Sequence, residues 1–180
     1  VATKAAVVGC TGQCCQTDAV HQWLVGGALI EGPDGLLLVQ NRRRNGRVDW
    51  SPPGGVIDDG ESLIEGLGRE VQEETGLVVT AWEGPVYSIE AEAPGLGWTL
   101  RVEVHRAVAF EGEVVVDDPD GIVVDARFVD PVACADHLTD GHPWVREPLV
   151  EWLGERWAGT RGFGYRIEGD DPATLSVRRL

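Results

Sequence analysis

The stretch from Gly54 to Leu77, GGVIDDGESLIEGLGREVQEETGL, limits the possible folds of this chain more than any other. Its glycine pair follows Pro52-Pro53, where the backbone must turn tightly or approach a ligand closely. Asp58, Asp59 and Glu61 then place negative charge at a helix start, where the macrodipole favours it. Ser62 followed by Glu65 fits a capping box, and Thr75-Gly76 supplies the stop, with Gly76 in the left-handed position. At about 100° per residue, Glu70, Glu73 and Glu74 fall within roughly one 100° arc. Ile64, Leu67 and Val71 form the neighbouring apolar stripe, expected to pack on a sheet. Gly66 lies on the carboxylate side and leaves room there. Gly66 and Gly68 each cost about 1 kcal/mol against Ala in a helix interior, so helix stability does not account for them. Three glutamates on one face repel one another unless a cation sits among them, and hard divalent cations take such oxygen ligands. A solvated acidic face explains three glutamates equally well when they are taken alone.

The spacing decides between these readings. Gly55, five residues, Glu61, seven residues, Arg69-Glu70-Val71, one residue, Glu73-Glu74, one residue, Gly76-Leu77 reproduces the Nudix box without a departure. A fixed residue matches by chance about one time in fifteen on average usage, so coincidence is not a competing explanation. The chain therefore resembles the Nudix (MutT-like) hydrolases, over roughly residues 20–157. The resemblance implies an α/β/α sandwich with a mixed central sheet.

Composition sets the remaining bounds. A chain of 180 residues, 43% hydrophobic and 25% charged, suits one soluble domain with a real core. With 30 acidic against 15 basic residues the net charge is −15, which argues against nucleic-acid polymers and anionic membrane surfaces as partners. No apolar run approaches the ~20 residues of a membrane span, and the first ten residues make a poor signal peptide. Cys10, Cys14 and Cys15 lie close together with His21 nearby, but the spacing is no standard zinc pattern. Residues 1–18 read as a loose arm with incidental thiols, in a reduced, cytoplasmic setting. The Nudix domain is expected over 19–158. Residues 159–180 form a tail, open to an edge strand or to a partner chain, in a monomer or homodimer.

Periodicity and turn residues predict the other elements. A buried strand from His21 and the LLLVQ run pair across the GPDG turn. Leu77–Ala81 and Val86–Ala91 read as one strand with an interruption. Pro94–Gly97 turns into a long alternating strand from Trp98. The segment IVVDARFVD is a further strand, residues 131–140 are irregularly helical, and His142–Trp157 is a closing amphipathic helix whose tryptophans serve core or interface. Arg42, Arg43, Arg44 and Arg47 form the only dense basic segment. It leads into Trp50 and the glycine pair, so these residues are candidates for holding substrate phosphate, against the alternative of a solvated loop.

The resemblance also implies chemistry: hydrolysis of a nucleoside diphosphate linked to another moiety. In that family the glutamates matching Glu70, Glu73 and Glu74 bind Mg²⁺ or, alternatively, Mn²⁺, and the backbone carbonyl matching Gly54 adds a ligand. The match to Arg69 orients the glutamates, Gly55 and Gly76 are structural, and Glu61 supports the loop and helix. The general base is either Glu70 or a downstream loop carboxylate. Where the family often has a further glutamate, this chain has Gly121 or Ile122, leaving Asp118 or Asp120 as substitutes and Glu90 and Glu92 as alternatives. The expected substrate is a (deoxy)nucleoside triphosphate, oxidised forms included, cleaved to a monophosphate and pyrophosphate. The alternatives are ADP-ribose or a nucleotide sugar, and a non-catalytic nucleotide-sensing module.

Overall fold

The computed structural model describes residues 20–170 and 174–180. The cysteine-rich arm lies outside the described residues. β1 (His21–Gly32) and β2 (Gly35–Arg42) pair as the expected antiparallel hairpin, only at its turn, with Glu31 opposite Leu36. Beyond the turn they diverge into two branches of one sheet. β1 runs parallel to β5 (Trp98–Glu111) from His21 opposite Trp98 to Ile30 opposite Ala107. β5 pairs antiparallel with β4 (Val78–Ala93), and β4 runs parallel to β7 (Arg161–Glu168), which pairs with β8 (Ser176–Arg179). On the other branch β2 lies between β3 (Val48–Ser51) and β6 (Val123–Val129), antiparallel to both. Parallel and antiparallel pairs therefore coexist in one mixed sheet, as expected.

α1 (Leu63–Thr75) covers one face and α3 (Pro143–Glu155) the other. The strands alternate between two apolar clusters accordingly. Ala28, Ile30, Leu37 and Ala107 pack with Leu67 and Val71 of α1, while Leu29, Leu36, Leu38 and Val104 pack with Leu149 and Trp152 of α3. The short helix α2 (Pro131–His137) leads through a 3-10 turn, Leu138–Asp140, towards α3.

Three expectations change in detail. Ile64 does not join the stripe of Leu67 and Val71 and stays 37% exposed, because it sits in the first turn of α1, at the rim of the sheet contact. The interruption expected near Glu83 does not end the strand: β4 runs through it with register shifts between Glu83 and Tyr87, the extra residues being taken up as a bulge. The 159–180 segment takes the strand alternative left open for it and supplies two strands instead of one. β7 lies between β4 and β8 and buries Phe163, Tyr165 and Ile167, so the edge position falls to β8. Trp144 and Trp152 of α3 are buried, the core role expected of them.

Candidate active site

The glycine loop lies along the free edge of β1. Gly26 N–H donates to the Gly55 carbonyl (3.0 Å), Ala28 N–H to Pro53 O (2.9 Å), and Ile57 N–H to Leu24 O (2.9 Å). This edge pairing explains the glycine at 54: its φ is 141°, and an added Cβ would collide with the Gly26 carbonyl. At Gly55 a Cβ would collide with the Glu70 carboxylate. Gly66 does leave room, but for Glu61 and Ile57 of the loop, which a Cβ would meet at 2.8 and 2.9 Å. Nothing crowds Gly68, and its presence has no structural account here.

α1 begins as its residues dictate. Ser62 and Glu65 cap each other reciprocally, and Gly76 closes the helix at φ 74° with its N–H on Gln72 O. Arg69 is the hub of the acidic face. Its Nε and Nη2 grip Glu61 at 3.0 and 2.9 Å, a two-pronged pair, while Nη1 donates to Glu70 (2.7 Å) and Glu73 (3.3 Å). Glu61 also accepts from Asp58 N–H (3.2 Å), which ties the loop to the helix, and the Arg69 contact holds its carboxyl below the usual range. Glu74 points inward, 9% exposed, and accepts from Gly54 N–H at 2.8 Å. Burial pushes its carboxyl up to about 8, the Gly54 N–H opposes this, and the charges of Glu70, Asp118 and Glu73 add to it. Burial likewise raises Glu70, against the pull of Arg69.

A buried carboxylate beside two more on the same helix face suits a hard divalent cation, which would offset both the burial and the neighbouring negative charges that raise Glu74. Among the described residues no three acidic, histidine or cysteine side chains converge into a ready-made cage. Arg69 and the Gly54 N–H hold the carboxylates apart. That arrangement fits Mg²⁺, which is commonly bound by one or two carboxylates, waters and substrate phosphates rather than by an all-protein cage.

The acidic loop between β5 and β6 faces this helix. A groove of about 490 Å³ is walled by Arg69, Gln72 and Glu73 on one side and Val115, Asp117 and Pro119 on the other. Asp118 organises the loop: its carboxylate accepts from the N–H groups of Asp120 (3.1 Å), Ile122 (2.7 Å) and Val123 (2.8 Å). Its charge reaches Glu74, whereas Asp120 is held in the loop through its backbone N–H. Glu90 and Glu92 lie on β4 opposite Arg101 and Thr99, and Glu92 pairs with Arg166 (2.6 Å).

In the basic segment Arg43 is already engaged, with Nε and Nη2 on Asp49 at 2.6 Å each. Among the described residues Arg42, Arg44 and Arg47 make no side-chain ion pair. Trp50 meets His137 edge-on (5.3 Å between ring centroids), and the Arg127 guanidinium lies 5.0 Å above its ring. Sequence reading missed Arg127 and His137, since they reach Trp50 from β6 and α2, and no local pattern marks them. Asn41 is buried and donates to Ser51 Oγ (3.0 Å).

A glycine loop pinned to a strand edge and an arginine-organised set of carboxylates thus sit on a mixed sheet between helices. The NUDIX domain family model matches residues 21–153, and the chain belongs to that family. Among curated proteins it is 38% identical over 84 residues to the human 8-oxo-dGDP phosphatase NUDT18, covering 47% of this chain and 25% of the relative. It is 31% identical over 90 residues to the Danio rerio oxidized purine nucleoside triphosphate hydrolase, covering 50% of this chain and 57% of that one. The chain thus spans about a quarter of the length of NUDT18 and over half of the shorter relative. Among solved structures, the E. coli ORF135 protein superposes with a TM-score of 0.63 at 20% identity, over 78% of this chain and 95% of that one. The MutT NUDIX hydrolase from Burkholderia pseudomallei superposes with a TM-score of 0.60 at 23% identity, over 73% and 97%. These structures share the fold.

Proposed function

We propose that the protein is a divalent-metal-dependent pyrophosphohydrolase of nucleoside triphosphates, oxidised purine nucleotides among them, releasing a nucleoside monophosphate and pyrophosphate. The observation that carries this is Glu74, a carboxylate buried against the glycine loop and crowded by Glu70, Glu73 and Asp118. Such a group, left without a cation, is unfavourable in its charged form, so its placement is explained by a bound metal. The residues that would hold Mg²⁺, or alternatively Mn²⁺, are Glu70, Glu73 and Glu74, with the Gly54 carbonyl. The bound cation would neutralise phosphoryl oxygens and favour attack by water.

The protein's own groups do the rest. Arg69 fixes Glu70 and Glu73 in direction through Nη1 while Glu61 anchors Arg69, so the carboxylates are positioned before substrate arrives. Glu70 is the better-placed general base: burial raises its basicity, and only one of its oxygens is taken by Arg69. Asp118 ties the acidic loop to the start of β6, and its charge reaches Glu74, which favours it over Asp120 as the loop carboxylate acting on the metal site. Arg42, Arg44 and Arg47, which make no side-chain ion pair among the described residues, are the candidates for phosphate, while Arg43 supports the loop through Asp49.

The names of two relatives support oxidised purine nucleotides as the substrate class, and they divide on the number of phosphates. The second reading is therefore an oxidised nucleoside diphosphate, cleaved to a monophosphate and orthophosphate. Incubation with Mg²⁺ and a panel of nucleoside triphosphates, their 8-oxo forms, 8-oxo-dGDP and ADP-ribose tests both, with pyrophosphate and orthophosphate assayed separately and AMP measured for ADP-ribose. Pyrophosphate from a triphosphate supports the first reading, and orthophosphate from the diphosphate alone supports the second. Turnover of none of them points to a non-catalytic nucleotide-sensing module.

A further inference from the structure

A second cavity, of about 460 Å³, opens where the β4 bulge, the end of β1 and the C-terminus of α3 meet. Its volume lies in the range of small-molecule sites. Glu31 is five residues beyond Gly26, which contacts the glycine loop, so the cavity lies ~17 Å further along the same strand. It also sits on the other face of the sheet. Glu31 follows Leu29 in the alternation towards α3, and Arg106 follows Val104, whereas the glutamates of the candidate active site ride on α1. The cavity is therefore distinct from the site already described.

Two guanidiniums converge there on one carboxylate. Arg156 Nη1 donates to Glu31 at 2.7 Å, and Arg106 Nε to the same carboxylate at 3.3 Å, with Arg106 Nη1 on Glu83 at the rim (3.3 Å). Arg156 is the only non-glycine residue with positive φ among the described residues, at φ 50° and ψ 45°. A glycine would cap α3 without that strain, so an arginine in this conformation marks a side chain placed against the backbone's preference. Its guanidinium carbon lies over Trp152, 4.1 Å from the ring centroid, and both residues line the cavity. Trp157 forms another wall and is fixed by its indole N–H on Val86 O (3.1 Å).

We propose that this cavity binds the phosphate monoester of a small organic molecule at a second, non-catalytic site. Arg156, held over Trp152, and Arg106 beside it present paired guanidinium donors in the geometry a phosphate accepts. Both share the charge of Glu31, while the exposed Glu83 draws on Arg106 only at the rim, so a competing monocarboxylate gains nothing by replacing Glu31. A phosphate monoester carries close to two charges at neutral pH and does gain. The volume exceeds what a phosphate alone fills, and the remaining space lies beside Trp157 and Pro85. Glu31 acts as the internal stand-in that the ligand displaces.

Calorimetric titration of the full chain with phenyl phosphate, in chelator to keep metal out of the catalytic site, tests this. Inorganic phosphate and benzoate serve as comparisons. Phenyl phosphate should bind saturably and more tightly than inorganic phosphate, and benzoate should not bind. Arg156→Gly should weaken phenyl phosphate binding at least tenfold while leaving the melting temperature unchanged or raised and the hydrolase activity intact. Arg106→Gln should weaken it similarly, and Glu31→Gln, which removes the competing charge, should tighten it. Absence of saturable phenyl phosphate binding to wild type up to about 10 mM would overturn the proposal. So would binding that survives both arginine changes, or an Arg156→Gly protein that melts lower and binds as before.

Discussion

Arg69 connects the loop and the helix of the candidate active site, touching Glu61, Glu70 and Glu73 at once. Replacing Glu73 or Glu74 with glutamine should abolish Mg²⁺-dependent hydrolysis, by at least about a hundredfold, without unfolding the chain. Circular dichroism and phosphate release check this, and near-wild-type turnover at saturating Mg²⁺ would sink the metal assignment. Glu70→Gln should cost orders of magnitude, and a loss of only a few-fold would move the base to the acidic loop. Glu74 carries a second, opposite consequence. Its folded-state carboxyl stands at about 8 against 4.5 ordinarily. Between those values the folded protein keeps a proton that the unfolded chain releases, so metal-free stability falls as pH rises from about 5 to 8. Without metal, Glu74→Gln should therefore melt higher than wild type at pH 8, with the difference shrinking towards pH 5. A thermal melt in chelator at both pH values measures it.

At the scale of the element, α1 is defined by its ends and by the glycines around it. Ser62→Ala removes the reciprocal cap and should cost about 1 kcal/mol in urea unfolding, with activity falling little. Gly55→Ala differs: its Cβ would occupy the space of the Glu70 carboxylate, so hydrolysis should drop far more than stability does. Equal losses in both would mean that the glycine serves folding alone. The capping box, the helix span and the glutamate arc were legible beforehand because they depend on neighbours three or four residues apart. Ile64 misled because periodicity assigns a face but cannot tell where the sheet beneath that face ends.

For the whole molecule, β7 shows what chain order hides. Its glycine-rich sequence reads as a tail, yet it runs parallel to β4 and buries Phe163, Tyr165 and Ile167. Truncation after Gly159 should therefore abolish cooperative unfolding, and a soluble, cooperatively melting fragment would show that the two strands are dispensable. Metal should stabilise the assembled site by mass action: Mg²⁺ should raise the melting temperature of wild type and leave Glu74→Gln unmoved. No described helix is long and apolar enough to cross a membrane.

The sequence by itself determined the box helix, its caps, the carboxylate arc and the family, all of which reside in one continuous stretch of chain. Only the folded chain shows that the Gly54 loop pairs along β1 and that the Asp118 carboxylate gathers the N–H groups of the acidic loop. It also brought Arg127 and His137 to Trp50, and Arg106 and Arg156 to Glu31. Apart from the Asp118 loop, each of these depends on segments far apart in the chain meeting at a sheet edge or across a layer, and their spacing in sequence carries no trace of that meeting.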